Sequence, residues 1–228
     1  MAQVALLFDM DGTLLDSGGM SLITFRETLT RLHARQLATN IRWSDEQILS
    51  VIGMTTADIF RKLLPQASQT VREMALAVLE EVEAEYLPVH SGLFPGVRDA
   101  LEQLRQHGYR LFVASNGGAD YVATAARVHG IEGYFEKIYC AGLHKTKSKV
   151  DLVARLLAES QVEAAIMIGD RASDIEAGRA NGLRTVGCRY GIGNDEELRE
   201  ADGWVDRLAE LPELLEQWDK EGFICQKC

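Results

Sequence analysis

Thirteen residues near the N-terminus, Val4 to Asp16, read VALLFDMDGTLLD. They constrain the fold more than any other stretch. Val4 to Phe8 is a short apolar run rich in strand formers. Its length suits a strand buried on both faces, as in a parallel sheet. Asp9 and Asp11 follow at the strand's C-terminal end, and Gly12-Thr13 turn the chain. Ligands of open α/β sheets bind just outside the carboxyl ends of strands, so chemistry is expected here. Carboxylates two residues apart in an extended chain share a side and repel, which raises one pKa. A divalent cation relieves that repulsion, and hard oxygen ligands suit Mg²⁺. The same D-x-D-G string is also good turn chemistry, so the pair alone leaves a solvated turn open.

The next seventy residues or so carry a helical pattern. Leu22, Phe25, Leu29 and Leu32 form one apolar stripe. Ser44 to Gln47 is a capping box that opens a short helix, which Gly53 would end. Thr55 to Asp58 is another, opening a helix that Pro65 stops. Thr70 to Leu87 reads as a long helix closed by Pro88. From Phe94 on, strands alternate with helices. Strands are predicted at 110–114, 137–141, 164–168, 184–188 and 204–205. Helices are predicted at 97–107, 120–129, 149–159, 173–180, 195–201 and 211–218. This alternation argues for an α/β fold, a parallel sheet with helices on both faces. Residues 17–90 are expected to form a small all-helical unit, inserted into a core of residues 1–16 and 91–228.

Three later stretches carry chemistry. Phe112 to Gly117 reads FVASNG, a strand ending in a hydroxyl, an amide and glycine. Exposed backbone N–H groups and Ser115 could cradle an anion there, although Ser-Asn-Gly is also ordinary loop chemistry. His144 to Lys149 holds three lysines in five residues, unusual in so acidic a chain. Such a cluster focuses anions locally. Ile166 to Gly178 reads IMIGDRASDIEAG, a strand ending in Asp170 with Asp174 at the start of the next helix. Asp174 could equally cap that helix and offset its dipole.

These four strings, in this order, resemble the motifs of the haloacid dehalogenase superfamily. The closest branch is the phosphoglycolate-phosphatase-like one, and the likeness runs from Val4 to about Leu215. The resemblance implies a Rossmann-like core with a helical cap inserted after the first motif. It implies a Mg²⁺-dependent phosphatase, with Asp9 as nucleophile and Asp11 as general acid and base. The aspartate at position 11 argues for phosphoryl transfer over dehalogenation. Ser115 and Asn116 would bind the phosphoryl group. So would a lysine, either Lys149 or Lys147, with Lys145 further behind. The family often shows K-P-x-P at this point and this chain lacks both prolines, so the choice of lysine stays open. Asp9, Asp170, Asp174 and the backbone carbonyl of Asp11 would hold the metal. Gly18-Gly19 and Val89 to Gly92 would be the cap's hinges, and Gly53 to Thr56 its specificity loop. A phosphomutase shares every core residue, and a non-catalytic binding protein on the same fold is a further alternative.

The chain has 228 residues and a formal net charge of −10. That charge disfavours nucleic acid or an anionic membrane as a partner. A small phosphorylated metabolite is the expected partner, with the chain a monomer or homodimer. No run is apolar for long enough to span a membrane and no signal peptide is visible, so a cytoplasmic location is expected. Cys225 and Cys228 form a C-x-x-C at the C-terminus, half of a zinc site at most.

Overall fold

Strand formers sit where the pattern places them: β1 (Ala5–Phe8), β2 (Arg110–Ser115), β3 (Lys137–Cys140), β4 (Ala165–Gly169), β5 (Arg184–Cys188) and β6 (Gly203–Val205). The computed structural model describes residues 4–38 and 40–223, and Cys225 and Cys228 lie outside the described residues. The strands form one sheet in the order β3-β2-β1-β4-β5-β6, and every pairing is parallel. At the centre, Leu6 is in register with Leu111 on one side and Ile166 on the other.

Alternation along the strands sorts the core into two layers, because successive side chains point to opposite faces. Leu6, Phe8, Val113 and Ile168 face one cluster. It is completed by helices α5 (Val97–Gln106), α6 (Ala119–Val128) and α11 (Leu211–Lys220). Ala5, Leu7, Phe112, Ala114 and Met167 face the other. There they meet α8 (Lys149–Glu159) and α9 (Ala172–Ala180). Each large apolar side chain buried this way contributes roughly 1.5–3 kcal/mol.

Helices α1 (Gly18–Ala34), α2 (Asp45–Leu49), α3 (Thr56–Leu63) and α4 (Gln69–His90) lie between β1 and β2 in the chain. They enclose a separate apolar cluster that includes Phe25, Leu32, Ile48, Phe60 and Val78. Ser44 and Gln47 make both bonds of the expected capping box, at 3.2 and 2.9 Å. The chain enters and leaves this layer side by side. Asp16 donates its backbone N–H to Gly92 at 2.8 Å, and Leu15 bridges Leu93.

Three expectations are corrected. Gly18 and Gly19 are not a loose link but the first residues of α1. Pro88 does not close α4, which runs on to His90. Proline forfeits one backbone bond, but here it sits in the last turn. That turn is secured by Ser91, whose N–H and hydroxyl both donate to the Leu87 carbonyl, at 3.2 and 2.5 Å. Consequently Val89 and His90 are helical rather than part of a hinge. The third is a short helix, α7 (Ala141–His144), directly after β3. The last described helix before β6 is α10 (Asp195–Leu198). Among the described residues, no helix is long and apolar enough to cross a membrane.

Candidate active site

From β1 the chain builds outward to β2 and β3 on one side, then returns to β4, β5 and β6 on the other. The direction reverses at β1 and β4, and the carboxyl ends of such strands form a binding crevice. Asp9 ends β1 and Asp170 ends β4, which pair in register. Asp174 lies on the first turn of α9 and reaches back to the same place. All three are buried, and one carboxylate oxygen of each lies within 4.8 Å of the others.

Lys149 joins them. It is the first residue of α8, whose start is fixed by Ser148 accepting from the Asp151 N–H at 3.1 Å. Only 3% of it is exposed, which for a lysine demands partners. Its Nζ lies 2.9 Å from Asp9 Oδ2 and 2.5 Å from Asp174 Oδ1. Lys147 is not brought to the cluster. It is exposed and lines an outer cleft with Lys62 and Arg171. Lys145 is exposed as well and ends α7 in a left-handed conformation.

The remaining bonds hold each carboxylate in place. Asp9 Oδ1 accepts the Met10 N–H at 2.8 Å, while its buried Oδ2 receives no aimed hydrogen bond despite the nearby lysine. Asp170 accepts from the Thr13 hydroxyl at 3.2 Å and from the backbone N–H groups of Ile192 and Gly193 at 2.8 and 3.3 Å. Asp174 Oδ2 accepts the Arg171 N–H at 2.9 Å. Gly12, at φ +76°, passes so close that a Cβ there would lie 2.2 Å from Asp170 Oδ2. The Asp11 carboxylate points elsewhere and accepts the Tyr121 hydroxyl at 2.6 Å.

On the β2 side, Ser115 is buried and its Oγ accepts the Gly117 N–H at 3.1 Å. Asn116 donates from Nδ2 to the Gly53 carbonyl at 2.8 Å and keeps a buried Oδ1 with no partner. Arg171 donates to the Ile52 carbonyl at 2.7 Å and pairs with Glu197 at 2.8 Å. The turn between α2 and α3 is therefore tied down onto the sheet's crevice. A partly open cavity of about 50 Å³ lies between them, lined by Asp9, Asp11, Ser115 and Asn116 below and by Gly53, Met54 and Thr56 above. Thr55 also caps α3, accepting the Asp58 N–H at 3.4 Å.

The family profile described as haloacid dehalogenase-like hydrolase matches residues 6–188, most of the chain. The chain belongs to that family. Among the relatives of this haloacid dehalogenase-like hydrolase is the pyrophosphatase PpaX of Listeria innocua. It is 28% identical over 218 residues, covering 90% of this chain and 93% of the relative. The tyrosine-protein kinase PtkA of Mycobacterium tuberculosis is 30% identical, covering 92% of this chain and 70% of the relative. The crystal structure of β-phosphoglucomutase from Clostridium difficile shares the fold, with a TM-score of 0.78 at 18% identity, covering 97% of this chain and 99% of that one.

Electrostatics set the hydrolase's crevice apart from its surface. Burial pushes Asp9 well above the usual carboxylate range, against the pull of Lys149, and the neighbouring Asp174, Asp170 and Asp11 add to the rise. Asp170 is pushed up to about 6, first by burial and then by Asp174, although two backbone N–H groups hold it back. Asp11 is raised by burial, with the Tyr121 hydrogen bond opposing. Burial would lower Lys149, but Asp174 and Asp9 outweigh it and raise its pKa. A buried set of hard carboxylate oxygens within 4.8 Å of one another suits a divalent cation.

Sequence reasoning missed Thr13, Tyr121, the Ile192–Gly193 N–H pair and Glu83 of α4, which also lines the cavity. Glu83 had a signal. It lies four residues beyond Leu79 and eight beyond Ala75, both buried, so it continues an apolar stripe with an acid. Gly191 and Gly193 had one too, since a Cβ on either would run into Asp170.

Proposed function

We propose that this chain is a Mg²⁺-dependent phosphohydrolase that acts on a small phosphate monoester through an aspartyl-phosphate intermediate. The observation that carries this reading is Asp9. One of its oxygens is pinned by Met10, and the other is buried beside Lys149 at the cavity without an aimed hydrogen bond. A carboxyl held this way is oriented to form a bond once ionised, a form that the nearby Lys149 favours.

Asp9 attacks phosphorus, and the bond from phosphorus to the leaving oxygen breaks. Asp11, whose raised pKa favours holding a proton, delivers it to that oxygen. Water then attacks the aspartyl phosphate and gives its proton to Asp11, releasing inorganic phosphate and restoring Asp9. Lys149, Ser115 and the Asn116 N–H face the phosphoryl oxygens, where charge builds. Asp9, Asp170 and the Asp11 carbonyl would hold Mg²⁺, with Asp174 direct or through water. The ion offsets carboxylate charge and orients the phosphate. Helices α1–α4 act as a cap over residues 1–16 and 91–228, and their closure excludes bulk water.

The PpaX, PtkA and β-phosphoglucomutase names all describe phosphoryl chemistry and differ in what gives or receives the group. A mutase must also hold a second phosphate through turnover. Lys62, Lys147 and Arg171 line the outer cleft that shares Gly53, Met54 and Asn116 with the cavity, so the assay decides between the two. The test is phosphate release from a panel of small esters and an aryl phosphate, with Mg²⁺ and with chelator. Release that chelator abolishes is expected. No release from any ester would overturn the reading, and isomerisation of a phosphosugar would replace it with the mutase.

The same groups predict how stability depends on pH without metal. Asp170 titrates near 6 in the fold against 3.8 when exposed. A raised acid keeps its proton in the fold while the unfolded chain loses it, so stability falls as pH rises through that window. The full loss is about 3 kcal/mol from Asp170, of which roughly 1–2 kcal/mol falls between about pH 5 and about pH 7.5. Asp9 acts in the same direction. In chelator, thermal unfolding should therefore come several degrees lower at the higher pH, and Mg²⁺ should restore the loss there. A melting temperature that rises over this interval in chelator would contradict the account.

A further inference from the structure

The helical side of the cavity carries a single ionisable group among the described residues, Glu83. The rest of that wall is mostly apolar, with Phe25, Ile52, Met54, Ile59 and Leu79 facing inward. Glu83 is half-buried and has no hydrogen-bond or ion-pair partner among the described residues. It stands close enough to Asp11 and Tyr121 to affect both. Burial, then Asp11, then Glu80 push its carboxyl up to about 8, and it adds to the rise at Tyr121. An unpaired carboxyl in a partly dry wall is unfavourable unless something in the cavity bonds it.

The phosphoryl end of a substrate is matched by Lys149 and the metal site. The leaving-group end meets Glu83, and no cation is among the described residues lining the cavity, while Lys62, Lys147 and Arg171 line the outer cleft. A carboxylate or second phosphate at that end would add negative charge beside Asp11 and find no cation on the cavity's described lining to balance it. A hydroxyl can donate to the Glu83 carboxyl, and an ammonium would also favour its ionised form and pair with it. Resting on the phosphohydrolase reading above, we propose that the substrate is a small phosphate monoester whose leaving group carries no negative charge and donates a hydrogen bond to Glu83. This separates the chain's substrate from phosphoglycolate and from pyrophosphate. The cavity, about 50 Å³ and partly open, favours a small leaving group.

The test compares kcat/KM for ethanolamine phosphate and glycerol phosphate with that for phosphoglycolate and pyrophosphate, all with Mg²⁺. Wild type is expected to favour the first pair on the order of tenfold to a hundredfold, the worth of one satisfied buried polar group. Glu83→Gln keeps the shape and cannot ionise to pair with an ammonium. It should narrow the ratio of ethanolamine phosphate to phosphoglycolate by about tenfold, a change in ratio that a merely structural residue would not produce. A wild type that favours phosphoglycolate or pyrophosphate, or a ratio unmoved by Glu83→Gln, overturns the proposal. An aryl phosphate run alongside tells this failure from failure of the phosphohydrolase reading. If nothing is hydrolysed, ligand-induced shifts in melting temperature decide instead. A larger shift with ethanolamine phosphate than with phosphoglycolate upholds the proposal, and the reverse order or no shift overturns it.

Discussion

Asp9→Asn should lower turnover of any accepted ester on the order of a thousandfold or more, because on the proposed mechanism the amide cannot form the covalent intermediate. The same change should leave the metal-free protein as stable as wild type or more so. Asp9 is 1% exposed and its pKa is raised well above the usual range, first by burial. A carboxyl raised in the fold lowers stability at every pH above its unfolded value, and that deficit disappears only in acid. Asparagine keeps the acceptor for the Met10 N–H and removes the charge. Lys149 still has Asp174 at 2.5 Å. Single-turnover kinetics and thermal unfolding in chelator near pH 7.5 measure the two effects. Turnover within tenfold of wild type would rule out Asp9 as nucleophile. A fall in melting temperature of more than about 5 °C would show that Asp9 stabilises the fold, against the electrostatic account.

How much of this was legible before any coordinates depends on whether a residue's partner is near in sequence. Asp9 and Asp170 end apolar runs whose strand character is local, and parallel pairing of β1 with β4 then brings them together. Lys149 needed one step more. Ser148, which accepts the Asp151 N–H, fixes where α8 begins and so places the lysine on its first turn, whereas Lys147 precedes the cap and stays exposed. Helix α7 escaped because Gly142 weakens helical propensity. The glycine is explained by packing, since a Cβ there would lie 2.8 Å from the Ala119 nitrogen. Pro88 misled because the rule that proline ends a helix holds for interiors, not for a last turn with its own serine cap. Tyr121 sits 110 residues from the Asp11 it bonds, and nothing near it in sequence marks it.

Lys149→Met should destabilise the metal-free protein by roughly 3–5 kcal/mol near neutral pH, the usual consequence of stripping one partner from a buried charge pair. For a chain this long, that corresponds to a fall of roughly 6–20 °C in melting temperature. Methionine preserves most of the buried stem, so packing changes little and the loss isolates the charge. What remains is three buried carboxylates within 4.8 Å of one another and no cation among them. Each then favours its protonated form more strongly than before. The deficit should therefore appear as pH rises and fade in acid, where folded and unfolded carboxyls alike hold protons. In wild type the stabilising effect runs the other way on the pH axis. The pKa of Lys149 is raised by Asp174 and Asp9, so its contribution persists through neutral pH and is lost only in alkali. Mg²⁺ should restore part of the variant's stability by supplying the missing positive charge, without restoring turnover, because the lysine proposed to hold the phosphoryl group is still gone. Thermal unfolding of both proteins from about pH 5 to about pH 8, with Mg²⁺ and with chelator, measures all of this. A variant within about 2 °C of wild type in chelator near neutral pH would mean that the carboxylates are held apart by something other than Lys149.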